Sequence, residues 1–186
     1  MGGYGEWVMS YGADDGWESA LVVPVDAAER TVAGWRRRFD PAAEWGVPAH
    51  ITVLYPFVPP AEINETTLVR LRDLLAEFGG FEFMLDAVGR FDTDVIYLRP
   101  EPADRFAALT AAVVEEWPSY QPYGGIHSVV IPHLTVAEMD IGGRFDEISA
   151  DLATHMPILA RAEFVNLMAG RQQPGSWRTL EAVALG

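Results

Sequence analysis

Apolar residues recur along this chain at two spacings, every second position or every third to fourth, and the switches between them mark out elements. Residues 19–25 form an apolar run that predicts a first strand. From Asp26 the spacing lengthens. Val32, Trp35 and Phe39 share one helical face, Asp26 and Glu29 stand at capping-box spacing, and the helix is expected to end near Arg38, before Pro41. Period two returns over 49–55, predicting a strand that stops at Pro56 and runs into the Pro59-Pro60 turn. Asn64 is placed to cap a helix carrying Leu68, Leu71, Leu75 and Phe78, with Gly79-Gly80 ending it. Residues 81–90 and 94–99 read as a hairpin around Phe91-Asp92-Thr93.

The pattern then restarts. Residues 103–117 predict a helix with Phe106, Leu109, Val113 and Trp117 on its apolar face, closed by Pro118. A loop with Tyr120, Tyr123 and Gly124-Gly125 leads to a strand over 132–138. Phe145, Ile148 and Leu152 mark another helix, and strands over 158–169 and 176–185 finish the chain across the loop 170–175. Residues 26–99 and 103–185 therefore spell the same order: helix, strand, helix, strand, strand. Such repetition points to an internal duplication, with two related lobes facing each other across a shared cleft. Residues 1–18 are rich in Gly, Asp and aromatic residues without periodicity and read as an N-terminal arm, with Trp7 and Trp17 as docking points. Residues 19–186 read as a single bilobal domain.

Composition narrows the function. With 186 residues, 49% of them apolar, the chain can bury its own core. It has no Cys, hence no disulfide, thiolate nucleophile or cysteine metal site. No apolar run approaches the length of a membrane span, and the N-terminus has no basic stretch leading into an apolar core, so a soluble cytoplasmic protein without membrane partners is expected. A formal charge of −14 argues against tight binding of long nucleic acid, which depends on many cationic contacts to phosphate. The densest basic cluster, Arg36-Arg37-Arg38, reads as a solvated helix C-terminus in preference to an RNA contact.

Two stretches carry the chemistry: Ala49-His50-Ile51-Thr52-Val53 and Pro132-His133-Leu134-Thr135-Val136. In a strand, residues two apart share a face, so His50 looks the same way as Thr52, and His133 the same way as Thr135. A lone strand histidine is more often structural than catalytic. The chain has four histidines and nine threonines, and two His-x-Thr triplets by accident have a chance of roughly one or two per cent. A pair of imidazoles, each beside a hydroxyl, suits acid-base chemistry on a phosphodiester: one ring removes a proton while the other donates one. Neither a His-Glu-x-x-His sequence nor a concentrated Asp/His set is present, so no metal and no other cofactor is expected. His127 and His155 lack the His-x-Thr setting and stay outside the expected site.

These motifs, with Leu54-Tyr55-Pro56-Phe57 after the first and Tyr123-Gly124-Gly125 before the second, resemble the 2H phosphoesterase superfamily, in its 2′-5′ RNA ligase-like branch. The resemblance spans roughly residues 19–185. It implies an α+β fold of two pseudo-symmetric lobes, with antiparallel sheets flanked by helices and a central cleft carrying both His-x-Thr motifs. It also implies metal-independent action on 2′,3′-cyclic phosphates, 2′-5′ phosphodiesters or small cyclic nucleotides, with a small nucleotide or short RNA end as substrate. Thr52 and Thr135 would donate to the nonbridging oxygens, whose charge grows in the transition state. Phe57, Tyr97, Tyr123 and Trp177 are candidates for a flat wall against a nucleobase, with core packing as the alternative for each. Arg171 and Gln172 are candidates for phosphate or sugar contact, against a solvated loop. A noncatalytic nucleotide-sensing module using the same cleft is the second functional reading. Oligomeric state, and which histidine is acid or base, are left open.

Overall fold

The structure is a computed structural model and describes residues 16–91, 94–125, 130–139 and 141–186. Strand β1 (Glu18–Pro24) opens it, with residues 19–23 buried in succession, as suits a strand paired on both edges and covered on both faces. Helix α1 (Asp26–Phe39) buries Ala28, Val32 and Arg36, a stripe at every fourth residue. The expected capping box does not form. Val25 holds the cap position without a side-chain hydrogen bond, and Glu29 instead accepts from the Ala49 N–H at 2.8 Å. Ala49 is fully buried and its N–H needs an acceptor, so a long-range tie displaces the local one. Helix α2 (Pro41–Trp45) follows at once, begun by Pro41 and by Asp40, whose side chain accepts from the Ala42 N–H.

Strand β2 (His50–Leu54) carries the first His-x-Thr pair. Helix α3 (Glu65–Ala76) starts as expected, with Asn64 Oδ1 accepting from the Thr67 N–H. Strands β3 (Phe81–Phe91) and β4 (Val95–Glu101) form the expected hairpin, whose turn residues 92–93 lie outside the described residues. Helix α4 (Asp104–Glu116) buries Phe106, Leu109 and Val113. Strand β5 (Leu134–Ala137) is shorter than expected and leaves His133 just ahead of it. Helix α5 (Phe145–Ala153) buries Ile148 and Leu152.

The strand expected over 158–169 is two strands in different sheets. Strand β6 (Ile158–Ala162) lies at an edge with residues exposed between buried ones, whereas β7 (Phe164–Gly170) is interior and nearly all buried. The exposed Glu163 joins them. Strand β8 (Arg178–Ala184) pairs with β7. Both sheets are antiparallel, in the orders β2-β1-β7-β8 and β5-β4-β3-β6.

Neither sheet comes from one sequence repeat. The β3–β4 hairpin of the first repeat pairs with β5 of the second, and β7–β8 of the second pairs with β1. Helices cross over too: α1 packs on β5 and α4 on β2. Thr110 Oγ1 donates to the Val53 carbonyl at 2.9 Å, and the Glu138 and Met139 N–H groups donate to the Phe39 carbonyl at 2.8 and 3.1 Å. One cluster of buried side chains runs through both sheets. Residues 1–15, with Trp7, lie outside the described residues. Trp17 docks against two guanidinium groups, Arg171 and Arg178, each 5.6 Å from the ring centroid. No helix among the described residues is long and apolar enough to cross a membrane.

Candidate active site

Alternation in β2 turns Ile51 and Val53 into the core and leaves His50 and Thr52 half-buried on the opposite face. Strand β5 repeats the arrangement, with Leu134 and Val136 inside and Thr135 turned away from them. Both strands are sheet edges and they touch, so His50, Thr52, His133 and Thr135 line one cleft of about 890 Å³.

The two imidazoles are held alike. His50 Nδ1 lies 2.8 Å from the Pro48 carbonyl and His133 Nδ1 lies 2.6 Å from that of Ile131, each two residues back. A carbonyl only accepts, so Nδ1 carries the hydrogen in both rings and Nε2 is the nitrogen left for the cleft. Burial pushes His50 down to about 4, aided by the charge of Arg36 and by His133, while the bond to Pro48 opposes. Burial also lowers His133, against its bond to Ile131.

Arg36 corrects the solvated reading of the arginine cluster. It lies on the buried stripe of α1, 2% exposed, pairs with Asp40 at 2.8 Å and donates to the Val47 carbonyl at 3.1 Å. Arg37 and Arg38 do stay exposed. Asp40 lines the cleft, its carboxyl raised by burial despite Arg36.

The candidate aromatic wall divides. Trp177 lines the cleft, near Trp45 and Tyr55, and its ring lies over Gly170, where a Cβ would fall 2.4 Å away. Tyr97 does not line it; it stacks on Phe91 at 4.3 Å between centroids, and both rings meet the His133 ring, at 5.4 and 4.9 Å. Gly89 opposes Tyr97 across the hairpin, and a Cβ there would fall 2.3 Å from the ring, so the glycine admits this support. Phe57 is core, 2% exposed and edge-on to Trp117 at 5.2 Å. Arg171 lies against Trp17 instead of lining the cleft, although its neighbour Gln172 reaches it.

Tyr123 lines the cleft with a backbone φ of 52°, a left-handed conformation uncommon for a bulky residue. Its N–H donates to the Tyr55 carbonyl at 2.6 Å, and its hydroxyl is hydrogen-bonded to the Thr52 side chain. Burial raises its phenol nonetheless. Sequence reasoning missed Asp40, Arg90, Phe91 and Glu138 as lining residues and gave Tyr55 no role. Asp40, four after Arg36, was findable from the every-fourth stripe of α1; Glu138 lies past the end of β5, where alternation no longer assigns a face. Among the described residues no three His, Asp or Glu side chains form a metal-ligand group.

A family profile described as the 2′-5′ RNA ligase superfamily matches residues 23–171, a stretch that includes both His-x-Thr pairs. The chain belongs to this superfamily. As a 2′-5′ RNA ligase superfamily member it is 28% identical over 120 residues to a Bacillus cytotoxicus protein provisionally named a phosphoesterase, covering 63% of this chain and 67% of that one. The superfamily fold is visible in solved structures. The crystal structure of Escherichia coli LigT complexed with 3′-AMP superposes with a TM-score of 0.58 at 18% identity, covering 90% of this chain and 97% of LigT. LigT complexed with NADP+ gives 0.57 at 16%, covering 92% and 99%. A Thermus thermophilus protein gives 0.56 at 18%, covering 90% and 97%. At such identities the likeness is one of fold, and it agrees with the two-sheet α+β architecture of this superfamily member.

Proposed function

We propose that this superfamily member is a metal-independent phosphodiesterase or ligase-like esterase acting on 2′,3′-cyclic phosphates or 2′-5′ phosphodiester bonds of short RNA ends or small nucleotides. The observation that carries the reading is the pair of imidazoles lining one cleft, His50 on β2 and His133 just ahead of β5, each tied through Nδ1, each with a threonine two residues on. In hydrolysis of a cyclic phosphate, one Nε2 accepts a proton from water as the water oxygen bonds to phosphorus. The other ring protonates the ribose oxygen as its bond to phosphorus breaks. Thr52 and Thr135 donate to the nonbridging oxygens. Depressed rings suit the base, and the acid gains its proton as the anionic phosphate enters, since a nearby negative charge favours imidazolium. Trp45, Tyr55 and Trp177 supply an apolar wall for a base. The LigT complexes with 3′-AMP and NADP+ are in keeping with a small nucleotide ligand.

Purified protein would be screened against 2′,3′-cyclic nucleotides, 2′-5′ and 3′-5′ dinucleotides and ADP-ribose cyclic phosphate, with and without EDTA. Turnover of a cyclic phosphate or a 2′-5′ bond, insensitive to EDTA, is expected, because proton transfer and hydroxyl donors need no Lewis acid. Activity lost in EDTA and restored by one divalent ion would overturn the metal-free mechanism. Nucleotide binding without any turnover would favour a sensor.

A further inference from the structure

The cleft is poor in positive charge for a site that would hold phosphate. All thirteen basic residues of the chain are arginines. Arg36 is committed to Asp40, and Arg70, Arg72, Arg99, Arg144 and Arg161 pair with other carboxylates. Among the described lining residues the one arginine is Arg90, whose guanidinium lies over Phe145 at 5.1 Å. Facing the same space are the carboxylates of Asp40, Asp94 and Glu138. Glu138 has no ion pair among the described residues, and its backbone is pinned to Phe39 just past the end of β5, three residues beyond Thr135. Burial raises the Glu138 carboxyl, neighbouring Asp40 raises it further, and Arg36 opposes both.

We propose that Glu138 makes the cleft select its ligands by charge, admitting phosphodiesters with one negative charge and rejecting phosphate monoesters with close to two. This rests on the phosphodiesterase reading above. Hydrolysis of a cyclic diester forms one P–O bond to the water oxygen and breaks one to a ribose oxygen. One water proton ends on that ribose oxygen. The other remains on a product whose second ionisation lies near pH 6, so at higher pH it passes to solvent and the phosphate gains a charge. A fixed carboxylate therefore opposes product more than substrate and favours release. A unit charge within the same cleft as the phosphate, at an effective dielectric between protein surface and water, changes affinity about three- to tenfold per ligand charge.

The test is calorimetric titration of wild type and Glu138→Gln at pH 8 with a 2′-deoxynucleoside 3′-phosphate, a dianion, and with its methyl ester, a monoanion. Neither has the 2′-hydroxyl needed to cyclise. Glu138→Gln should tighten the monoanion by the per-charge factor and the dianion by its square, so the preference for monoanion falls about three- to tenfold. Glu138→Asp keeps the charge and should hold that preference within about twofold. Equal changes for both ligands, or none, would overturn charge selection. Turnover assays on the same preparations separate the two ideas. Wild-type turnover with an unshifted preference, or with binding of neither ligand, sinks charge selection alone, a shifted preference without turnover of any diester sinks the phosphodiesterase reading alone, and absence of both binding and turnover sinks both.

Discussion

Two ring nitrogens, Nε2 of His50 and of His133, carry the proposed chemistry, and the hydrogen bonds behind them set both tautomers. One ring must be neutral to accept a proton and the other charged to donate one. In kcat/KM, activity rises with pH as the lower-titrating ring loses its proton, and falls as the other does. His50 is held down to about 4 and His133 is also lowered from 6.5, so the bell should peak on the acid side of 6.5, with constants that belong to the pair. The kcat profile, read with the anionic substrate bound, should lie at higher pH. His50→Ala and His133→Ala should each lower kcat by on the order of a hundredfold or more, and the double variant should lose far less than the product. Well-folded single variants with wild-type turnover, or a kcat/KM optimum well above 6.5, would refute the pair. This residue-level reading was legible because period two and a duplicated triplet are local facts of the chain.

Helix α1 does more than cover β5 and β6. Its buried stripe ends in Arg36, which pairs with Asp40, the cap of α2, and holds the Val47 carbonyl, so one guanidinium joins two helices and the approach to β2. Arg36→Met keeps the apolar length but strands a buried carboxylate, which should cost about 3–5 kcal/mol in urea unfolding. Arg36→Met with Asp40→Asn should recover part of the loss, and a single variant as stable as wild type would show the pair to be dispensable. The every-fourth spacing of Ala28, Val32 and Arg36 was present in the sequence, but three adjacent arginines read more naturally as a solvated helix end. The Asn64 cap was legible because it acts within three residues; the Asp26-Glu29 box failed because Glu29 found a partner twenty residues away.

At the scale of the whole molecule, a net charge of −14 surrounds a cleft sized for a small ligand. Few phosphates can find a cationic partner, so mononucleotide and short substrates should be turned over about as well as long RNA. Log kcat/KM against log salt should have a slope no steeper than about −0.7, the value for one phosphate contact on a single strand. A steep slope with preference for long chains would mean that the exposed Arg37 and Arg38 form a binding track.

The sequence by itself determined most helices and strands, the α+β class through its family resemblance, and the two His-x-Thr pairs, since each depends on spacing within a few residues. Only the tertiary structure decided which strands share a sheet. Antiparallel pairing of β1 with β7, or β4 with β5, joins segments distant in the chain, and no local pattern encodes it. The break between β6 and β7 falls at Glu163, with no Gly or Pro in the run to announce a change of sheet. Burial sorted the aromatics in the same way. Tyr55 and Phe57 stand two residues apart just past one strand, yet the first lines the cleft and the second packs on Trp117, because helix α4 and the chain after it cover only one of them. Local spacing fixes which way a side chain points along its own strand; what it meets there is set by the partner that chain folding brings to that face.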